Sequence, residues 1–438
     1  MRYLSTISFW GITIALSYSQ PEISILGSAD ILQADLYNPA RFQNRGWNIG
    51  LPALAYNFYH TGPGYRKIID QSTGQPVLRL SNLRDGLKDE NFLYTDFRFQ
   101  TFKLKYGTKQ WSFGLDHEII FHSSIEYPGD LIRLYLDGNQ QFIGQTIDIA
   151  PEGLIYSMNS YGFLISRSWS NMTLGIKPRI LFGGQYGNVP LAKAELHTSD
   201  DVYQVTLNTD FRFDNVGLVR FENSNFLNYQ IESFNQWSLF SSNLGAALDI
   251  GLQWHLSDAF DLGLSVVDWG RIRWDTDVRS YQSEQTMVYE GLEVVDLFEK
   301  EEIKIPDAID SLRSIFQLEE SQESLVFKLP TKFIAVATYQ AGPGLELSLI
   351  TYYQSGLSRP LVVGLQGLTG LSSHWKLGAT LSNRYDEMNL GLMSVWTQSK
   401  WVAYLATDQV LTNLNPLQSN HFNLRVGLNL HLEGTTFD

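Results

Sequence analysis

Hydrophobic side chains occupy every second position in several long stretches of this chain. Within residues 244–256 the even positions are leucine, alanine, isoleucine or tryptophan, while the odd positions include Asp249 and His255. Residues 422–432 alternate in the same way. A tilted strand crosses a bilayer in about 9–11 residues, and alternation of this length between turns is typical of a transmembrane β-barrel. The pattern therefore predicts an all-β fold, a transmembrane antiparallel barrel.

The same criterion predicts about fourteen spanning strands. They cover residues 47–58, 97–106, 111–121, 161–168, 172–182, 244–256, 260–267, 331–340, 345–353, 361–367, 375–382, 388–396, 401–407 and 421–432. Tight and long connections alternate along this series, apart from one short link at 354–360 on the long side. Bacterial barrels have short periplasmic turns and long external loops, so both chain ends are expected in the periplasm. A soluble β-sandwich or propeller, which also alternates, is the alternative.

Two long excursions interrupt the barrel, at 183–243 and 271–329. Inside the first, residues 202–221 alternate as well, and they either add two strands, giving sixteen, or form an external hairpin. The charged residues there leave its faces poorly suited to lipid, which favours the hairpin. In the second excursion a short helix is expected after Pro306. Its acidic residues are interpreted as a solvated surface loop, with a cation or partner site as the alternative.

The first 19 residues carry one arginine, an apolar run and small residues at Ser17 and Ser19, which predicts a signal peptide at 1–19. A buried N-terminal helix is the alternative. No later stretch of about 20 apolar residues is present, so helical membrane spans are excluded. After the signal peptide we predict a segment at 20–46, one barrel at 47–432 and a tail at 433–438.

The amino-acid composition limits the kinds of molecule that the chain can bind. Charged residues make up 18% of the chain, below the roughly 25% of soluble domains, and aromatic residues make up 13%. A net charge of -14 argues against nucleic acid, whose phosphates need a basic surface. Without cysteine there is neither a disulfide framework nor a thiolate metal site.

Tryptophans lie close to the ends of predicted strands. Amphipathic aromatic rings at these places form the girdles that mark both membrane interfaces. The predicted aromatic girdle comprises Trp111, Trp254, Trp269, Trp375, Trp396 and Trp401.

Candidate chemistry is sparse. Asp249, His255 and His117 are candidates to line the lumen. His117, Glu118 and His122 approach a zinc-protease spacing, but the second histidine is one residue too far away and the segment is a predicted strand. We therefore assign no catalytic residue, metal ligand or cofactor and predict that the chain is not an enzyme. An active site assembled from separate strands inside the lumen is the alternative.

The segment before the first strand contains Asn38-Pro39-Ala40. It resembles the opening of FadL-like outer-membrane transporters, in which the N-terminus folds into the lumen as a plug or hatch. Bacteroidota relatives of that group, including the PorV-type component of type IX secretion, have similar openings. Residues 248–252, 267–274 and 328–330 resemble one uncharacterised family of the same kind.

This resemblance implies a location in the outer membrane, with membrane lipid as a partner, and a plug formed by residues 20–46. The implied function is passive transport of small hydrophobic compounds across that membrane. The alternative is a non-transporting barrel that acts as a scaffold or as a component of type IX secretion, gliding or another cell-surface assembly.

Overall fold

The structure is a computed structural model that describes residues 23–41, 45–70, 77–201, 204–222, 229–232, 239–289, 318–356, 361–384, 387–414 and 419–432. The predicted signal peptide, the helix expected after Pro306 and the tail at 433–438 lie outside the described residues.

Fourteen strands of the described chain form a closed antiparallel barrel, which confirms the predicted fold class. Each strand pairs with its neighbours along the wall, and the last strand returns to the first through Trp47↔Leu432 and Leu54↔Val426. In chain order the wall strands are β1 (Gly46–Gly50 and Ala53–His60), β2 (Glu90–Gly107), β3 (Trp111–Pro128), β4 (Glu152–Ser168), β5 (Met172–Leu191), β6 (Leu244–Ser257), β7 (Phe260–Trp274), β8 (Lys332–Gly342), β9 (Leu345–Gln354), β10 (Leu361–Gly370), β11 (Trp375–Arg384), β12 (Glu387–Gln398), β13 (Trp401–Thr407) and β14 (His421–Leu432).

Four wall strands are much longer than alternation predicts. Strands β2, β3, β4 and β5 contain 18, 18, 17 and 20 residues, and they extend beyond the barrel on the side of the long connections. The excursions expected at 183 and 271 therefore begin later, because β5 continues to Leu191 and β7 to Trp274. Alternation does not predict these extensions, because their two faces no longer separate lipid from water.

Residues Val205–Val216 form a strand outside the barrel rather than two additional wall strands. This strand pairs along its whole length with Val278–Tyr289, and its C-terminal half also pairs with the end of β5. A hairpin to Ala194–Thr198 is present too. The hairpin interpretation therefore gave the right number of wall strands but missed the main partner, which lies about 70 residues further along the chain.

Short elements fill the connections. They are the 3-10 helices Leu32–Leu36 and Gln140–Phe142, the helices Tyr65–Ile68, Leu80–Asp85, Gly129–Asp137 and Val410–Asn413, and the strands Ile69–Asp70, Val77–Leu78, Thr146–Asp148, Val219–Phe221, Tyr229–Ile231, Glu319–Ser321 and Leu325–Lys328. Among the described residues, no helix has the length and apolarity needed to cross a membrane.

The alternation predicted from the sequence separates two faces of the wall. Large apolar side chains point away from the barrel axis and are exposed, among them Leu115, Ile180, Leu264, Leu349, Leu365 and Leu405. Side chains at the intervening positions are buried inside. An exposed apolar belt of this kind on a monomer requires lipid contact, because water would oppose it.

Candidate functional site

Residues 23–41, the lumen segment, lie inside the barrel. Almost all of them are buried, although the only regular structure is the single turn Leu32–Leu36. The backbone amides of Ile23 and Ser24 donate to the two carboxylate oxygens of Asp408, each at 2.8 Å. Wall side chains on other strands also contact the segment, and no strand ladder joins it to the wall among the described residues.

A buried charge cluster joins the lumen segment to β2. The Asp35 carboxylate lies 2.5 Å from Lys103 Nζ and 3.5 Å from Lys105 Nζ. Asp116, on β3, lies 3.1 Å from Lys103 Nζ and 2.9 Å from Lys177 Nζ. All five side chains are at most 2% exposed. We call these residues the lysine cluster, and Asp35 is the charge that the lumen segment contributes to it.

Asn38-Pro39-Ala40 packs directly onto the wall where two glycines face the lumen. Asn38 Nδ2 donates to the Leu252 carbonyl at 3.1 Å, and Asn38 Oδ1 accepts from the Ala40 amide at 3.0 Å. A Cβ atom at Gly251 would come closer than 3.0 Å to Asn38 and Pro39, and one at Gly175 would come closer than 3.0 Å to Pro39 and Ala40. The turn therefore fits only because these paired positions lack side chains.

On the other side of the lumen the wall carries a continuous group of apolar side chains, with buried polar ones such as Ser348, Gln366 and Thr380 between them. Ile23, Ile25, Leu26 and Ile31 of the lumen segment pack against inward side chains of β7 to β13. We call these wall residues the apolar strip: Val267, Ile334, Val336, Ile350, Tyr352, Val362, Leu368, Met393, Val395, Tyr404 and Ala406. In the part of the chain that the structure describes, the lumen segment is what packs on the strip from the axis of the barrel.

The opposite half of the lumen, formed by β14 and β1 to β6, is polar. Its buried inward side chains include Asn48, Gln100, Lys103, Lys105, Asp116, Lys177, Asp249, Asn423, Arg425 and Asn429. Gln33 of the lumen segment donates to Gln100 at 3.0 Å and to Asn429 at 2.9 Å. The lumen segment therefore packs its isoleucine and leucine side chains on the apolar strip and directs Gln33 and Asp35 to this polar half.

A second buried charge network joins side chains of β5, β6, β7 and β8. Arg179 Nε is 3.1 Å from Asp249, and the Arg179 guanidinium also contacts Asp268. Asp268 is 2.5 Å from Lys332 Nζ, and its backbone has a φ of 62°, where the β6–β7 register shifts. The Asp268 amide donates to Asp249 at 2.8 Å, which fixes this bulge in the wall.

The lumen-lining candidates have different positions. Asp249 faces the lumen and is 1% exposed. His255 lies on the same side of β6, but beyond the buried lumen at the rim, where it is exposed and contacts Asp261.

His117 does not line the lumen, contrary to our expectation. It shares the outward face of β3 with Trp111, and its ring stacks on the outward ring of Tyr161 at 4.3 Å. A bulge at Thr101 lets the Thr101 hydroxyl reach His117 Nδ1 at 2.8 Å. The His117 ring therefore has its hydrogen-bond partner within the wall.

The predicted girdle residues lie on the outer face. Trp111, Trp254, Trp375, Trp396 and Trp401 lie next to tight turns, together with Trp47 and Trp169, whereas Trp269 lies toward the opposite end of the wall. The Arg167 guanidinium lies between the rings of Trp111 and Trp169, at 5.0 and 5.2 Å from their centroids.

Sequence reasoning missed the lysine cluster and Asp408. A signal was available, because Lys103 and Lys105 alternate with Phe102, Leu104 and Tyr106 in a chain with few charged residues. Charges at inward positions of a spanning strand need buried partners, but the alternation does not identify them.

Comparisons with known proteins add the following. The model of the Family of unknown function (DUF5723) matches residues 39–437. No curated protein matches the chain. The chain is similar to the solved structure of a Pseudomonas aeruginosa FadL homologue, with 11% identity over 95% of this chain and 97% of that chain and a TM-score of 0.40. It is similar to the Ralstonia pickettii toluene transporter TbuX, with 10% identity over 95% of this chain and 99% of that chain and a TM-score of 0.37. It is also similar to the Pseudomonas putida toluene transporter TodX, with 11% identity over 92% of this chain and 94% of that chain and a TM-score of 0.37.

Proposed function

The chain belongs to the Family of unknown function (DUF5723), and we propose that its barrel is a gated, passive route for small hydrophobic compounds across the outer membrane. In this proposal the lumen segment is the gate. Its displacement opens a path along the barrel axis.

The observation that carries the proposal is the apolar strip under the lumen segment. A pore for polar solutes needs a polar lining throughout, and a permanently closed barrel needs no separable cover over an apolar surface. Displacing the segment would expose Ile350, Val336 and their neighbours along one side of the lumen. Such a surface favours apolar solutes by roughly 25 cal/mol for each Å² that they cover.

The way in which the segment is held is consistent with a gate. Its contacts with the wall run through side chains such as Asp408, Gln366 and Lys376 rather than through a β-ladder. Side-chain contacts can be exchanged for water one at a time as the segment moves. A ladder strand would have to break all of its backbone hydrogen bonds together.

Uptake into liposomes tests the proposal. The purified protein would be reconstituted beside a variant that lacks residues 24–43, and entry of a fluorescent fatty acid would be followed. We expect the intact barrel to exceed an unrelated closed barrel, and the deletion variant to exceed both. Uptake by the deletion variant that is no faster than with the unrelated barrel would contradict the proposal.

A matched pair of wall variants asks whether the strip forms the path. In the deletion background, Val336→Thr with Val395→Thr keeps the shape of the side chains but adds two hydroxyl groups to the strip. We expect slower fatty-acid uptake with unchanged ion conductance. Thr351→Val, on the outer side of β9, is the control and should change neither quantity.

A second candidate is a scaffold for a surface assembly. It is favoured by the sheet outside the barrel, in which Val205–Val216 and Val278–Tyr289 pair over twelve positions. A simple pore has no need of this sheet. A variant that lacks residues 290–317 tests the scaffold function. If the protein is a scaffold, this variant should no longer co-purify with surface proteins. Its heat-modifiable mobility should be unchanged, which serves as the control for folding.

A further inference from the structure

Three basic side chains form a patch on the outer face of the wall. Arg271 and Arg273 are exposed on β7, and Lys328, on the short strand Leu325–Lys328, pairs directly opposite Arg271. These cations border an open groove of about 1070 Å³ whose other lining includes Leu244, Leu248, Trp269 and Val326. The patch therefore combines cations with apolar surface in one place.

The position of the patch along the wall matches a membrane interface. Arg271 pairs with Ala246, which is eight positions along β6 from the girdle residue Trp254. Eight positions span about 26 Å along a strand, or about 20 Å across the membrane at a tilt of about 40°. The apolar belt of such barrels is about 25 Å tall, so Arg271 lies about 5 Å inside its far edge, from which a long side chain reaches the headgroups, and Arg273, two positions further along, lies at that edge.

The charges of the patch are poorly neutralised by the protein. Arg273 lies 2.8 Å from Asp275, and both side chains are exposed. Neither Arg271 nor Lys328 has an acidic side chain within 4.0 Å among the described residues. In a chain of net charge -14, adjacent cations without acidic partners point to an anion from outside the protein.

We propose that this groove binds a phosphorylated lipid of the outer leaflet. Arg271 and Lys328 contact its phosphate, Arg273 supplies a further charge at the rim, and Leu244, Trp269 and Val326 pack against the first part of the acyl chains. Guanidinium and ammonium groups are the usual protein partners of phosphate, and a tryptophan ring at headgroup level packs on the lipid below. The site is independent of whether the lumen opens.

Native mass spectrometry of the detergent-purified protein tests the proposal, with doubly phosphorylated lipid A as the probe. We expect the wild-type protein to bind this lipid at least tenfold more tightly than the same lipid after removal of both phosphates. The triple variant Arg271→Gln, Arg273→Gln, Lys328→Gln should lose about 100-fold in affinity, at about fivefold for each cation. Equal binding of the dephosphorylated lipid, or unchanged binding by the triple variant, would overturn the assignment.

A matched control removes three exposed cations elsewhere, through Arg66→Gln, Lys67→Gln and Lys88→Gln. This variant should bind lipid A like the wild type, and an equal loss would mean that only the overall charge matters, which also overturns the site. Heat-modifiable mobility reports folding of each variant. If the triple variant does not fold, the single variants Arg271→Gln and Lys328→Gln are measured, and wild-type affinity in both excludes the site.

Discussion

Asp35 joins the lumen segment to the wall through buried ion pairs. Its carboxylate approaches two buried lysines, and with it the lysine cluster contains three cations and two anions. Without Asp35 the same three cations face Asp116 alone. Removing one partner of a buried ion pair costs about 3–5 kcal/mol, because the remaining charge stays buried.

The substitution Asp35→Asn should therefore destabilise the closed position of the lumen segment. A shift of about 3 kcal/mol corresponds to an increase on the order of 100-fold in the open-to-closed ratio. Recordings in planar bilayers measure this ratio. Asp85→Asn, at an exposed site in the Leu80–Asp85 helix, is the control and should behave like the wild type. Identical traces for Asp35→Asn and the wild type would show that this charge does not hold the gate.

Glu126 should make the end of the barrel that carries the long connections sensitive to pH. It lies fifteen positions beyond Trp111 on β3, about 38 Å across the membrane at a tilt of about 40° and so outside the apolar belt. Burial, together with the nearby charges of Glu90 and Glu152, raises the pKa of Glu126 to about 7. Since the folded form binds the proton more tightly than the unfolded form, stability falls as pH rises from about 4.5 to 7.

The substitution Glu126→Gln removes this penalty. The variant should be more stable than the wild type above about pH 7, and the difference should vanish below about pH 4.5. Hydrogen exchange of the β3 and β4 extensions at pH 4 and pH 8 measures the effect. If the variant and the wild type differ in protection from exchange by the same amount at both pH values, titration of Glu126 is not the cause.

At the scale of elements, the contact between the lumen segment and strands β5 and β6 depends on two glycines. Gly251 and Gly175 are paired across the two strands, and their missing side chains leave room for Asn38 and Pro39. Valine is a good strand former, so a valine at this position should be tolerated by the wall itself but not by the turn above it.

Gly251→Val should therefore displace Asn38-Pro39-Ala40 while the barrel remains folded. The expected results are normal heat-modifiable mobility, increased conductance and faster proteolysis within the lumen segment. Gly367→Val is the matched control, because a Cβ there meets only Leu347 at an ordinary 3.6 Å. If Gly251→Val conducts no more than Gly367→Val, the motif does not close the lumen at this place.

At the scale of the whole molecule, the alternation of tight and long connections predicts the orientation. Tight turns fall on the same side as the start of β1 and the end of β14, and that side is periplasmic in bacterial barrels. Ser311, in the middle of the second long excursion, lies outside the described residues, but the exposed turn at Asp200 is on the side of the long connections.

A single introduced cysteine gives a clear reporter, because the chain has none of its own. Asp200→Cys should react with a membrane-impermeant maleimide in intact cells. Ser257→Cys, in the tight turn between β6 and β7, should react only after the outer membrane is broken. The opposite pattern would invert the topology, and labelling of both in intact cells would mean that the barrel is not inserted in the membrane.

The sequence by itself determined the wall of this protein. Alternation with a period of two depends only on which face of a strand meets lipid, so it is written locally in each segment. For that reason the fourteen strands and the outward tryptophans could be predicted from single stretches such as 244–256. The extensions of β2 to β5 could not, since both of their faces meet protein or water and the local pattern fades.

Only the tertiary structure decided how the lumen is filled. The sequence cannot pair Asp35 with Lys103 or Asp408 with Ser24, because partners in the lumen come from strands far apart in the chain and every polar residue there is locally equivalent. The prediction that His117 lines the lumen was wrong, because alternation along β3 from Trp111 gives the outward face, and only the pairing of β2 with β3 shows that Thr101 contacts its ring there. Lipid selects one face of a strand without reference to any other residue, whereas a buried charge is defined by the partners that closure of the barrel brings to it.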